Sequence, residues 1–263
     1  MATYLDEIAA FHRDRARRDD RDERELYRAA EKVQSPTSFK DALTLGDQVA
    51  LIAEIKRRSP SKGVIAKEID LGEMVSHYVA GGASAISVLT DEKHFGGSMD
   101  DLITVGTLCN LPLLRKDFTV SVKDVLDAKI WGASAVLLIV AILAPGELVE
   151  LLKVAKDLGV DTLVEVHTLE ELHRALEIGT DIVGVNQRNL HTFEVDYELA
   201  VKLIEEIPSG ICKVAESGIS NREQIERVAA AGCDAVLVGE SLMRSRGNGD
   251  LVSALSTVPK RGR

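Results

Sequence analysis

Glu54 and Lys56 stand two residues apart at the end of the apolar run Leu51-Ile52-Ala53. In an extended chain, residues two apart share a face, so the carboxylate and the ammonium point the same way. Charges at the mouth of a buried strand are costly unless they are paired or used. Alone, the two are equally consistent with a structural ion pair closing a strand. The same departure recurs down the chain. Arg115, Lys116 and Asp117 close the run Leu113-Leu114, and Glu165 lies within Leu163-Val164-Glu165-Val166-His167. Asn186 and Arg188 follow Val185, and Glu216 follows Val214-Ala215. A lone charge at a strand end is ordinarily a satisfied structural group. Five runs that break the apolar rule at one rim would gather two lysines, an arginine, three glutamates and an amide in one cavity, which reads as a site.

Two later loops add an anion signal. Ser217-Gly218-Ile219-Ser220 follows the seventh run, and Gly239-Glu240-Ser241 follows the eighth. Glycine lets backbone N–H groups approach an anion, and a helix N-terminus adds a favourable dipole. Ser59 and Lys62, in the hydroxyl-rich loop Ser59-Pro60-Ser61-Lys62-Gly63, complete the cradle if the first and eighth runs are neighbours. A tight turn that merely contains glycine is the alternative at each loop. A phosphorylated substrate is expected.

The elements that must position these groups repeat. Short apolar runs cover Val49–Ile55, Ala85–Leu89, Leu113–Lys116, Ala135–Val140, Thr162–Val166, Ile182–Val185, Cys212–Ala215 and Ala235–Val238. Amphipathic stretches between them often end in glycine and a small residue, as in Ile130-Trp131-Gly132-Ala133 and Ala230-Ala231-Gly232-Cys233. About eight such units in roughly 210 residues predict a (β/α)₈ TIM barrel, in the α/β class, with its active site at the carboxyl ends of the strands. An open doubly wound sheet would want a Gly-rich first turn, which is missing. Residues 1–48 read as an N-terminal helical extension of a single 1–263 barrel domain. In it, Tyr4, Leu5, Ile8 and Phe11 recur at helical spacing up to about Glu31, and Phe39 to Leu45 forms a further short element. The mixed-charge run from Arg13 to Glu25 predicts a solvated helix face or a mobile arm whose charges pair locally.

Composition narrows the class. Of 263 residues, 45% are hydrophobic but only 4% aromatic, so the core is built from Val, Ile, Leu and Ala, as suits parallel strands under helices. A formal charge of -10 argues against a general nucleic-acid or anionic-membrane surface, while leaving room for a local basic pocket. No apolar run is long enough to span a bilayer and no signal-peptide core is present, so a cytoplasmic protein is expected. Cys109, Cys212 and Cys233 are scattered without metal or disulfide spacing. His12, His77, His94, His173 and His191 show no carboxylate or cysteine partner at ligand spacing, and Trp131 reads as packing. His167 faces the same side as Glu165, with a minor site role or a loop role both open.

The segments EIKRRSPSKG, LLRKDF, LVEVH, GVNQRNL, VAESGI and VLVGESLM, in this order and at these strand ends, resemble the indole-3-glycerol phosphate synthase family over nearly all of Val49 to Met243. The resemblance implies a (β/α)₈ barrel lyase of tryptophan biosynthesis that works without cofactor or metal. Its substrate is 1-(2-carboxyphenylamino)-1-deoxyribulose 5-phosphate, cyclised to indole-3-glycerol phosphate with loss of carbon dioxide and water. It implies Lys116 as principal acid, Glu165 as general base, and Lys56 as holder of the substrate carboxylate and a second acid. Glu54, Asn186, Arg188 and Glu216 are implied as the network that orients lysines and substrate. Phe95, Phe118, Leu137, Leu190 and Leu237 are implied around the aromatic ring, and Ser59, Ser217, Gly218, Gly239 and Glu240 around the phosphate. A monomer or weak homodimer is expected, with no nucleic-acid or membrane partner. The competing readings are a sister barrel such as phosphoribosylanthranilate isomerase and a non-catalytic phosphate-binding barrel. The first would want a cysteine near the first strand and an aspartate near the sixth, where Glu54, Lys56 and Asn186 stand. The second would be expected to have lost Lys56, Lys116 or Glu165.

Overall fold

Each apolar run forms a strand of one closed ring in the computed structural model, which describes residues 3–34, 37–59, 63–66, 68–188, 194–246 and 248–261. The strands are β1 Ala50–Ile55, β2 Ala85–Leu89, β3 Leu113–Lys116, β4 Ala135–Ile139, β5 Asp161–Val166, β6 Ile182–Asn186, β7 Cys212–Glu216 and β8 Ala235–Val238. All pair in parallel with their sequence neighbours, and β8 closes on β1 through Ala50↔Ala235 to Ala53↔Val238. Asn186 and Glu216 are the last residues of β6 and β7, one position beyond the expected runs, so both lie on strands rather than in loops.

Period-two alternation divides the apolar side chains into two cores. Ile52, Leu114, Leu137, Leu163, Ile182 and Val214 fill the barrel interior, while Leu51, Val88, Val136, Val164, Val183 and Val236 face the helices. On five strands the same alternation aims a polar residue into the mouth: Glu54, Lys116, Glu165, Asn186 and Glu216. Around the ring stand α4 Leu71–Ala80, α5 Glu92–Phe95, α6 Met99–Leu108, α7 Val122–Ile130 and α8 Pro145–Asp157. They continue with α9 Leu169–Glu177, α10 Tyr197–Glu206, α11 Arg222–Ala230, α12 Glu240–Arg244 and α13 Gly249–Ser256. Gly82, Gly132, Gly179 and Gly232 follow helices at left-handed φ values of 73° to 88°, so the chain turns back into the next strand without a Cβ penalty. Among the described residues, no helix is long and apolar enough to cross a membrane.

The N-terminal segment runs from one end of the barrel to the other. Its helix α1, Tyr4–Arg18, starts at a Thr3 capping box and lays Ile8 against the interior core. Helix α2, Glu23–Glu31, packs on α7, and α3, Phe39–Thr44, plugs the foot with Phe39 and Leu43. The charged run is neither a free arm nor a merely solvated face. Arg13 bonds Glu147 of α8 at 2.6 Å, Arg15 bonds Asp124, and Arg21 bonds Asp127 of α7 at 2.8 Å. Arg17 and Arg18 do pair locally, with Asp14. Asp124 and Asp127 are largely buried, so these contacts lose less to solvent screening than exposed pairs do. Alternating signs allow local and distant pairing alike, and nothing in the run marks acids more than a hundred residues away.

Candidate active site

At the carboxyl ends of the strands lies a cavity of about 430 Å³. At its centre Lys116 Nζ sits 3.0 Å from Glu165 Oε2 and 3.1 Å from Glu216 Oε2, bridging β3, β5 and β7. Lys56, one residue past the end of β1, has its Nζ 2.5 Å from Glu54 Oε2, so its ion-pair partner is Glu54 rather than Glu165. Asn186 Oδ1 accepts the backbone N–H of Arg188 at 3.0 Å.

Two buried carboxylates sharing one buried ammonium cannot all titrate normally. Burial disfavours the Lys116 cation, but Glu165, Glu216 and Glu54 outweigh it and raise its pKa. Burial likewise pushes Glu165 up, yet Lys116, His167 and a hydrogen bond from Asn186 hold its carboxyl well below the usual range. Glu216 goes the other way. Its burial and the neighbouring Glu165 charge exceed the pull of Lys116, and its carboxyl is pushed up to about 7. Two carboxylates sharing one lysine are thus driven apart, one ionised and one able to hold a proton. Neither Glu216 oxygen is aligned for a hydrogen bond despite its nearness to the lysine, and Glu54 Oε2 is equally misaligned. His167 Nε2 stands 3.4 Å from Glu165 Oε1, and its Nδ1 is 3.2 Å from Glu171. Burial lowers the His167 pKa, but the acceptor Glu171 and the Glu165 charge raise it by more.

Room for these carboxylates comes from two glycines. A Cβ at Gly184 on β6 would overlap the Glu216 carboxylate, and one at Gly239 would overlap the Glu54 carboxylate and crowd Lys56 Nζ. Gly239 is therefore required by the acid beside it, apart from any role toward an anion. At the loop after β7, Ser217 and Gly218 are both left-handed, with φ of 68° and 73°. A Cβ on Gly218 would also press on Val195 at 2.6 Å. The Gly218 carbonyl accepts from Tyr197 Oη at 2.5 Å, which helps hold this strained turn.

Ser59, Ser217, Gly218, Gly239, Glu240 and Arg188 line the cavity, and so do Phe95, Phe118, Leu137 and Leu237. Leu190 and Lys62 lie outside the described residues. Arg115 points away from the cavity, into the layer under α7, where it pairs with Asp117. Ser220 and Ser241 of the two glycine loops join the wall, as do residues not anticipated: Tyr4, Leu5 and Ile8 from α1, and Arg244 of α12. The helical spacing of Tyr4, Leu5 and Ile8 was a signal for an apolar face, but not for what that face covers.

A family model described as indole-3-glycerol phosphate synthase matches residues 5–255. The chain belongs to that family. A synthase of this name from Beutenbergia cavernae is 45% identical over 237 residues, covering 88% of this chain and 86% of the relative. One from Dehalococcoides mccartyi is 49% identical over 203 residues, covering 76% and 78%. Members of the indole-3-glycerol phosphate synthase family are decarboxylating, ring-closing lyases of tryptophan biosynthesis. Among solved structures, thiamine phosphate pyrophosphorylase from Pyrococcus furiosus aligns with a TM-score of 0.59 at 18% identity, covering 83% of this chain and 96% of that one. N-acetylmannosamine-6-phosphate 2-epimerase from Clostridium perfringens aligns at 0.61 and 18%, covering 79% and 91%. These two show the barrel fold alone.

Proposed function

We propose that Lys116, Glu165 and Lys56 perform the family's ring closure of 1-(2-carboxyphenylamino)-1-deoxyribulose 5-phosphate in this cavity. The observation that carries the reading is the Lys116 ammonium, 3.0 and 3.1 Å from two buried carboxylates in a cavity lined by apolar side chains and by two glycine loops. The ring carbon bearing the carboxylate attacks the ribulose carbonyl, and the carbonyl oxygen gathers negative charge. Lys116 is a firm cation, so it first stabilises that charge and then yields its proton once the oxygen is the stronger base. The bond to the carboxylate breaks as carbon dioxide leaves and the ring regains aromaticity. The new hydroxyl departs as water with a proton from Lys56, while Glu165 takes a proton from the carbon beside the nitrogen. Glu165 also faces the positive charge that builds on that nitrogen.

Glu54 holds Lys56, and Glu216, Asn186 and Arg188 orient Lys116 and the substrate hydroxyls. Ser59, Ser217, Gly218, Gly239 and Glu240 take the phosphate. Phe95, Phe118, Leu137, Leu190 and Leu237 hold the ring. The same reading makes residues 1–263 one catalytic domain with 1–48 as its helical extension. It works in the cytoplasm as a monomer or weak homodimer, without a cofactor and without nucleic-acid or membrane partners.

The test is indole fluorescence after addition of the substrate, for the wild type and for Glu165→Gln. The variant is expected to lose about 10² to 10⁴-fold in kcat. Its melting temperature should stay close to wild type, because Lys116 keeps Glu216 as a partner. A large drop in melting temperature with near-normal kcat below the melt would sink the general-base role.

A further inference from the structure

We propose that His12, Asp91 and His94 form a site for a divalent metal ion of the zinc class, which fastens α1 to the rim of the barrel. His12 Nε2 lies 2.8 Å and His94 Nδ1 2.7 Å from the same oxygen, Asp91 Oδ2, and the three donor atoms fall within 4.8 Å of one another. His12 and Asp91 are 2% and 3% exposed, whereas the His94 side chain is 12% exposed and gives the ion a way in. Two imidazole nitrogens and one carboxylate suit zinc, cobalt or nickel and leave a fourth position open. Asp91 caps α5 through its other oxygen, Oδ1, which accepts the His94 backbone N–H at 2.6 Å. The cap fixes Asp91 and His94 relative to each other and leaves Oδ2 directed at the histidines.

His12 supplies the decisive observation. Its Nδ1 is buried without a hydrogen bond and stands 3.8 Å from Asp117 Oδ1. While a neutral His12 donates from Nε2 to Asp91, Nδ1 is a bare lone pair facing a second carboxylate. A metal on Nε2 moves that proton to Nδ1, where Asp117 can accept it. Asp117 is itself held by Arg115, Thr90 and the Phe118 N–H, so it provides the outer carboxylate that metal-bound histidines usually have. His94 changes tautomer in the same way, its proton moving to the exposed edge, and no proton is released overall. Tetrahedral bonds of about 2.0–2.1 Å set donors roughly 3.3 Å apart, so each imidazole nitrogen moves about half an ångström away from Asp91 Oδ2 to admit the ion. Because α1 carries Tyr4, Leu5 and Ile8 on the cavity wall, the ion would stiffen that wall.

The test is a Co²⁺ titration of the EDTA-stripped full chain. One equivalent is expected to give a visible d–d band that Zn²⁺ removes, and Zn²⁺ is expected to raise the melting temperature. His94→Phe keeps an aromatic ring beside Phe11, now 5.2 Å from His94, and is expected to lose both effects while melting like metal-free wild type. Addition of Zn²⁺ should also shift the ring NMR signals of His12 and His94 in the wild-type protein. No band, unshifted His12 and His94 signals, or an undiminished band in His94→Phe overturns the proposal and leaves a cluster that holds only protons.

Discussion

Arg115 and Lys116 are neighbours on β3 and face opposite sides of it. Outward, Arg115 is 1% exposed yet fully engaged: Nη1 donates to the Asp124 carbonyl at 2.6 Å, Nη2 to Asp117 at 2.9 Å and Nε to Thr90 at 3.3 Å. Its guanidinium also stands 4.9 Å from the centre of the Trp131 ring. Inward, Lys116 meets two carboxylates pushed in opposite directions, with both Glu216 oxygens misaligned. A buried charge at a strand end is thus no mark of a site in itself. The satisfied cluster holds the wall together, and the unsatisfied one keeps unused bonding capacity facing the cavity.

The largest effect expected from this contrast is on turnover. Lys116→Ala should lower kcat by about 10² to 10⁴-fold, measured by indole fluorescence. The fold should survive, since Glu216 already tolerates a proton and the freed acids can take one up. A variant that keeps most of its kcat would erase the distinction and move the acid role to Lys56.

Arg115→Met should do the reverse. Breaking a buried pair from one side leaves Asp117, whose carboxyl Arg115 helps hold low against its burial, without its cation. Denaturant unfolding should show a loss of about 3–5 kcal/mol, with kcat nearly unchanged in the protein that remains folded. Unchanged stability would mean that the outward cluster is ornamental.

The smallest effect concerns Glu216→Gln and pH. Because the folded-state pKa of Glu216 is raised, its contribution to stability is fully present below the unfolded value and is lost as pH rises through about 7. Glutamine cannot ionise, so the variant's stability relative to wild type should improve across that window, by something on the order of 1–2 kcal/mol. Urea melts at about pH 5 and about pH 8 measure the difference. A variant that becomes relatively weaker toward alkaline pH would reverse the assignment of the two acids.

Much of this contrast was legible in the sequence because strand alternation is strict. Eight apolar runs gave the ring, and period two placed Glu54, Lys116, Glu165 and Glu216 on its inner face. What escaped was set by distance. His12 meets Asp91 across 79 positions and Arg15 meets Asp124 across 109, and no local pattern encodes either pairing. His94 and Asp91 are only three apart, but their meeting depends on a one-turn helix capped by Asp91, which the loop composition did not announce. Gly239 reads in the sequence as part of an anion-friendly turn, and Gly184 carries no signal there. Both are required by the carboxylates beside them, a need visible only once neighbouring strands are paired.

The ring closes where β1 meets β8, residues 50 to 53 against 235 to 238. Ser59 and Lys56 stand on one side of that seam, Gly239 and Glu240 on the other, all on the wall of one cavity. Contacts of such sequence separation form late, because the loop-closure cost comes before their reward. On a ribosome, the chain can build seven strands and still lack the cavity, which comes into being only with the last one. A ligand spanning the seam binds only the closed ring and, by mass action, opposes its opening. The molecule's first substrate would therefore also serve as the final fastening of its fold.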